Sequence, residues 1–343
     1  MTRILIVGPS WVGDMVMAQS LVAALKRREP EAVIDLIVPP WSAPIGTRMP
    51  GVARTLVLDI PHRRFAPLKR LKFGAGLRSE GYDRAIVLPN SWKSAIVPWA
   101  ARIPRRTGYV GEMRYGLLND ARRLDKTALV RTVDRFAGLA GEAGETPTDV
   151  PFPVLTSDRL KGWVVAEKFG LPADGKIVAL CPGAEYGPAK QWPAPHFAAL
   201  ADLLHRRGFR TFLIGSRRDI PIAEAIRSLM AERNPAAVPA NLCGVTNLVE
   251  AIDVFAVTAG VVSNDSGLMH VAAAVGRPVV ALYGSIPSAA NPPLGRRIAI
   301  LERTLPCRPC FKRVCPLGHL DCLNLIPAAE VAESLAAQLE PAA

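Results

Sequence analysis

The chain has 343 residues, half of them hydrophobic and 21% charged, with a formal net charge of +12. That length allows two domains with full cores. No apolar run approaches the ~20 residues needed to span a bilayer, and no signal-peptide core with a small-residue cleavage site follows Met1-Thr-Arg3; residence in the cytoplasm is therefore expected. Basic clusters fall mostly in the first half, at His62-Arg63-Arg64, Lys69-Arg70, Lys72, Arg102, Arg105-Arg106, Arg114 and Arg122-Arg123. They point to an anionic partner, a phosphorylated molecule or an anionic membrane face. Only 6% of residues are aromatic and no RRM, zinc-finger or helix-turn-helix signature is present, which argues against nucleic acid.

The first element is the apolar run Arg3–Val7, which reads as a strand buried on both faces of a parallel sheet. A Gly-bearing loop, Gly8–Asp14, and a helix from Met15 to about Arg28 follow, then a second strand, Val33–Val38. This β-loop-α-β unit opens a nucleotide-type α/β domain. It carries neither G-x-G-x-x-G nor a phosphate loop of the G-x-x-x-x-G-K-[ST] kind, which excludes a dinucleotide or P-loop site at this end. Further strands are expected at Thr55–Leu58 and Arg84–Leu88, the latter ending in the polar turn Pro89-Asn90-Ser91-Trp92. Residues Glu142–Pro153, rich in Gly, Pro and Thr, mark a linker edge.

The pattern then restarts. A helix is expected over Ser157–Phe169 with Ser157 as its N-cap. Strands follow at Ile177–Leu180, Thr211–Ile214, Gly260–Ser263 and Pro278–Leu282. Helices are expected at Pro195–Arg207, Ile220–Met230, Leu248–Val257, Leu268–Val275 and Pro327–Leu339. Alternation in both halves predicts two doubly wound, parallel-sheet α/β domains, residues 1–155 and 156–326, with a last helix over 327–343.

Three loops fall at the carboxyl ends of second-half strands: Pro182–Lys190, Gly215-Ser216 and Asp265–His270. In an open sheet such loops border one crevice. They supply a lysine, hydroxyls, glycines and a helix start, which suit a nucleotide diphosphate. Lys190 is the candidate phosphate contact. Asp265 and Ser266 suit an N-cap, and Gly267 admits close approach to the backbone. Asp14, at the start of the first helix, reads either as a charge favouring the helix dipole or as a base for an attacking hydroxyl.

Gly8-Pro-Ser-Trp-Val-Gly-Asp-Met15, Pro182-Gly-Ala-Glu-Tyr-Gly-Pro-Ala-Lys-Gln-Trp-Pro193 and Ser263-Asn-Asp-Ser-Gly-Leu-Met-His270 resemble the signatures of bacterial ADP-heptose:lipopolysaccharide heptosyltransferases, glycosyltransferase family 9, above all those adding the second heptose. Tyr109 in Arg-Thr-Gly-Tyr and the Cys-Arg-Pro-Cys-Phe-Lys run extend the likeness nearly end to end. The long Pro182–Pro193 motif is specific; Asp-Ser-Gly alone would not be. The resemblance implies a GT-B fold of two facing Rossmann-like domains, the last helix packing back toward the first. It implies inverting transfer of L-glycero-D-manno-heptose from ADP-heptose to the first heptose of the inner core on Kdo2-lipid A. It makes Asp14 the general base and Lys190 the stabiliser of the departing diphosphate. Ala184, Glu185, Gly215, Asp265, Ser266, Gly267, Leu268 and His270 complete the donor site, and Gly13, Asn90, Ser91 and Tyr109 are assigned to the acceptor. A monomer working at the inner face of the inner membrane is expected.

No D-x-D motif lies in the loops where donor phosphates would sit, so metal-independent catalysis with no required cofactor is expected. Cys307, Cys310, Cys315 and Cys322 leave two readings open, a structural zinc site or four reduced thiols. Cys181 and Cys243 read as small buried residues. Two other functions stay in view: a related nucleotide-sugar enzyme of the heptosyltransferase I, N-acetylglucosaminyltransferase or epimerase type, and a non-catalytic protein binding anions or lipid through its basic face.

Overall fold

The computed structural model describes residues 1–61 and 64–339; the expected basic residues His62 and Arg63, and the last four residues of the chain, lie outside that range. The chain divides into two compact units, Met1–Leu155 and Thr156–Ala343.

In the first unit six strands form one parallel sheet: β1 (Arg3–Val7), β2 (Val33–Val38), β3 (Val52–Val57), β4 (Arg84–Val87), β5 (Arg105–Tyr109) and β6 (Asp120–Arg122). Their order is β3-β2-β1-β4-β5-β6. Parallel strands need long crossovers, and helices supply them and cover the faces. Apolar β1 therefore sits at the centre, with Ile4, Leu5 and Ile6 wholly buried. The helix expected from Met15 to Arg28 is two, Val12–Met17 and Gln19–Arg28, joined at Ala18. Gly8 lies where a β-carbon would be 2.7 Å from the Met15 methyl and 3.0 Å from the Ile37 carbonyl, so a side chain in the turn out of β1 would require both neighbours to shift.

The second unit repeats the plan with β7 (Ile177–Cys181), β8 (Arg210–Leu213), β9 (Ala240–Asn241), β10 (Gly260–Asn264), β11 (Val279–Tyr283) and β12 (Ile298–Glu302). The order β12-β11-β10-β7-β8-β9 is the first sheet's topology again. In both sheets the first and fourth strands of the unit are parallel neighbours, β1 with β4 and β7 with β10, so each sheet has a switch point between them. The helix after the linker runs Arg159–Lys168, and its N-cap is Asp158, whose carboxylate accepts from the Lys161 amide, rather than Ser157.

Trp192 anchors the core of this unit, fully buried, edge-on to Phe197 and donating from its indole to the Ile326 carbonyl at 3.0 Å. The helix Ala328–Leu339 buries Val331, Ala332 and Leu335 in the same core, on the helix Ala194–Arg206 and on β10, β11 and β12. Packing back toward the first domain is what the resemblance implies for this segment. Its apolar stripe covers its own sheet over the described length.

Candidate active site

In the first unit the loops leaving β1 and β4 flank the switch point. The β1 loop leads into the helix Val12–Met17, which carries Gly13 and Asp14 in its first turn. Burial pushes the Asp14 carboxyl up to about 6. No hydrogen bond or ion pair from the described residues holds it. A partly buried carboxylate without a partner suits a base better than a cap.

The β4 loop is held by a residue that sequence reasoning placed among surface charges. Arg114 is 1% exposed. Its guanidinium donates to the Tyr109 carbonyl at 2.6 Å, to the Ser94 hydroxyl at 3.1 Å and to Asn90 Oδ1 at 3.3 Å, fixing the turn that presents Asn90 and Ser91. Tyr109 is the fourth residue expected at the acceptor. It is buried, and its hydroxyl donates to the Arg135 carbonyl at 2.8 Å. Tyr109→Phe should therefore leave the acceptor KM unchanged and lower stability by about 0.5–1.5 kcal/mol; a raised KM would restore the acceptor role.

Other basic residues of this half are also internal. Arg122 is buried against Asp120 at 2.9 Å, and Arg106 donates to the Leu117 and Ile103 carbonyls. Arg64, Lys72, Arg102 and Arg123 remain exposed. The anionic face expected from the charge count is thus carried by fewer cations than the sequence suggests.

In the second unit the loop leaving β7 and the turn leaving β10 meet at the switch point. Lys190 is nearly buried and its ammonium lies 2.5 Å from Asp265 Oδ2. It also stands over the Tyr186 ring, 4.9 Å from the centroid, while the Arg313 guanidinium lies 5.2 Å from the same centroid. Two cations on one ring make Tyr186 an organising residue of the loop; its place inside the long motif was visible, but not its role.

Asp265 is therefore a partner for Lys190 and not the cap. Burial pushes its carboxyl up, and the Lys190 charge opposes that shift. The N-cap of the helix Gly267–Ala274 is Ser266, and its side chain makes no capping bond; its hydroxyl lies 3.2 Å from that of Ser263. The N–H groups of the first turn thus have no side-chain cap, as an anion site requires. His270 is buried one turn on, and burial, with the Lys190 charge behind it, pushes its imidazole down to about 4. It is neutral near pH 7.

The other expected donor residues lie in the loops after β7 and β8 and in the turn after β10. Glu185 pairs with Arg218 at the surface. Ala184 is buried, and its carbonyl accepts from the Gly187 amide at 3.2 Å. Leu268 is half-buried in the first turn of the helix. Gly215 has its meaning through Asp219, which sequence reasoning missed. The Asp219 carboxylate accepts from the Ser216 amide at 2.7 Å and hydroxyl at 2.8 Å. A β-carbon on Gly183 would lie 2.3 Å from that carboxyl group, and one on Gly215 would lie 2.7 Å from it. Asn264 ties the two main loops, donating to the Pro182 carbonyl at 2.7 Å and accepting from the Trp192 amide at 3.0 Å.

Two doubly wound units of one topology, the second with a lysine and an open helix start at its switch point, fit the GT-B fold. Comparison with known proteins narrows the class. Residues 70–321 match the model of glycosyltransferase family 9 (heptosyltransferase). The chain is 44% identical over 308 residues to lipopolysaccharide heptosyltransferase 2 of Salmonella typhimurium and equally to that of Escherichia coli, covering 88% of each chain in both cases. The solved structure of the E. coli ADP-heptose lipopolysaccharide heptosyltransferase II superposes with a TM-score of 0.87 at 40% identity, over 98% of both chains. The chain belongs to glycosyltransferase family 9, the heptosyltransferases.

Proposed function

We propose that this enzyme transfers L-glycero-D-manno-heptose from ADP-heptose to the first heptose of heptosyl-Kdo2-lipid A, in the assembly of the lipopolysaccharide core. The support is its likeness, along most of both chains, to lipopolysaccharide heptosyltransferase 2 enzymes. One local observation carries the chemistry: the Lys190–Asp265 pair beside an uncapped helix start.

In the proposed reaction Asp14 takes the proton of the acceptor hydroxyl as its oxygen attacks the anomeric carbon. The bond from that carbon to the β-phosphate oxygen breaks, ADP leaves, and the single displacement inverts the centre. Asp14 then gives its proton to solvent. Charge develops on the departing phosphate, where Lys190 and the first-turn N–H groups stabilise it. Asp265 holds Lys190 in place, and neutral His270 adds no competing charge. These steps call on the chain's own residues alone, so we propose metal-independent transfer without a resident cofactor.

No helix of the described residues is long and apolar enough to cross a membrane. Exposed Arg64, Lys72, Arg102 and Arg123 suit a peripheral site at the anionic inner face of the inner membrane, where a phosphorylated lipid acceptor would be met.

The test is direct. The protein is incubated with ADP-heptose and either Kdo2-lipid A or its mono-heptosylated form, and products are read by mass spectrometry. One added heptose on the mono-heptosylated lipid is expected. Addition only to Kdo2-lipid A would assign first-heptose transfer, and addition to neither would overturn the reading.

A further inference from the structure

One cavity of the second unit is lined by all four C-terminal cysteines, Cys307, Cys310, Cys315 and Cys322, together with Ser285 and His319. We propose that these four thiols bind one thiophilic divalent cation of the zinc class, in a structural site next to the Lys190 loop.

The donor set is the first argument. Four sulfurs around one cavity favour zinc-like ions over hard cations. The turns between them are tight. Gly318 and Leu320 take positive φ angles, 75° and 53°, in the segment between the third and fourth cysteine. The Gly318 amide donates to the Cys315 carbonyl at 3.3 Å, closing a turn at the third cysteine. His319 is engaged elsewhere: its Nδ1 accepts from the Asp321 amide at 2.9 Å, so the thiols are the ligands.

The second argument is independent of the sulfurs. Ser285 is 1% exposed, and its hydroxyl has no hydrogen-bond partner among the described residues. A buried hydroxyl without a partner, on the wall of the same cavity, points to a bound group.

The thiols border the cavity but do not yet grip an ion. Among the described residues no group of three or more His, Cys, Asp or Glu side chains is gathered closely enough to hold one. The cation must therefore draw the loop in, so that binding and loop closure are one event. The base of the loop is already fixed. Arg308 donates to the Gly284 carbonyl at 2.6 Å and to the Ile286 carbonyl at 3.1 Å, and pairs with Glu302 at 2.5 Å. Arg308, with Lys312 and Arg313 in the loop, also offsets the net negative charge that four thiolates and a dication leave.

The loop reaches the donor side. The Ala189 amide donates to the Arg313 carbonyl at 3.0 Å, and the Tyr186 hydroxyl to the Phe311 carbonyl at 2.7 Å. The cation would brace the segment that carries Lys190. The site itself stands whatever sugar the enzyme moves.

The full chain, expressed with zinc, is expected to carry one zinc per chain by elemental analysis. Cobalt in its place should show the sulfur-to-cobalt charge-transfer and d–d bands of a tetrahedral thiolate site. Cys181 and Cys243 are buried; the other four thiols should resist a thiol reagent in the metal-bound chain and react after chelation. Cys310→Ser should weaken cobalt binding by at least the roughly 10–100-fold that loss of an outer-shell partner costs, with circular dichroism checking the fold. If that variant does not fold, the chelation experiment on the unaltered chain decides. Four reactive thiols without cobalt bands, or disulfides in the unreduced chain, overturn the site.

Discussion

Asp14→Asn is expected to slow heptose transfer by about 10²–10⁴-fold, the usual contribution of a positioned base. Binding of ADP-heptose, measured by calorimetry, should not change, because the substitution removes a proton acceptor and no donor contact. The pH profile gives a second readout. Burial holds the carboxyl at about 6. A base works only when ionised, so the rate should fall as pH drops through about 6 and level off above it. That acid limb should vanish in the Asn variant.

The same shift has a stability consequence of opposite sign. A carboxyl whose folded pKa lies above its ordinary 3.8 helps the fold when protonated. Its contribution is full below the ordinary value and is lost as pH rises through about 6, where the folded chain begins to bury a charge. Asp14→Asn should therefore raise the melting temperature at neutral pH while removing activity. An unchanged acid limb, or a variant that keeps its rate, would show that Asp14 is only a charge near a helix start.

Lys190→Met is expected to lower kcat by about 10²–10³-fold, the range found when one preorganised donor to developing charge is removed. The partner left behind decides whether the variant still folds. Asp265 would lose the cation 2.5 Å away, and a buried carboxylate without a partner is costly. Its carboxyl is already pushed up by burial, so it should take a proton instead of remaining charged. Circular dichroism should then show native structure, and single-turnover kinetics should place the loss in the chemical step. Asp265→Asn should lose less, because Lys190 keeps its charge and its Tyr186 contact. Equal losses in the two variants would mean that the pair acts only as a structural link.

Much of the fold was legible because its central strands are buried on both faces. Arg3–Val7 and Ile177–Leu180 stand out as apolar runs and occupy the middle of their sheets, and Pro278–Leu282, equally apolar, has a strand on either side. Strands β5 and β6 do not stand out, since Arg105–Tyr109 and Asp120–Arg122 are mostly polar. They lie toward one margin of the first sheet, and their polar groups pair with each other, Arg122 with Asp120 and Thr107 with Asp120 at 2.9 Å. Local pattern cannot show pairing across the sheet.

The same limit divides the site. Lys190 was legible from its Gly- and Pro-rich loop. The part played by Asp265 was not, because a capping residue and an ion-pair partner look alike until the lysine's position is known. Tyr109 belongs to a recognisable string, yet its hydroxyl answers a carbonyl at Arg135. Arg114 counted toward surface charge, and only its burial reveals a brace for the Asn90 turn.

The carboxylate of Asp219 fills the space that a methyl group at either 183 or 215 would need. Three positions from two loops therefore share a single volume, and neither glycine is free to vary alone. An alanine at 183 or 215 should be accepted only in a background where 219 has already been shortened. Enzymes of this lineage should accordingly inherit or exchange these three residues as a set.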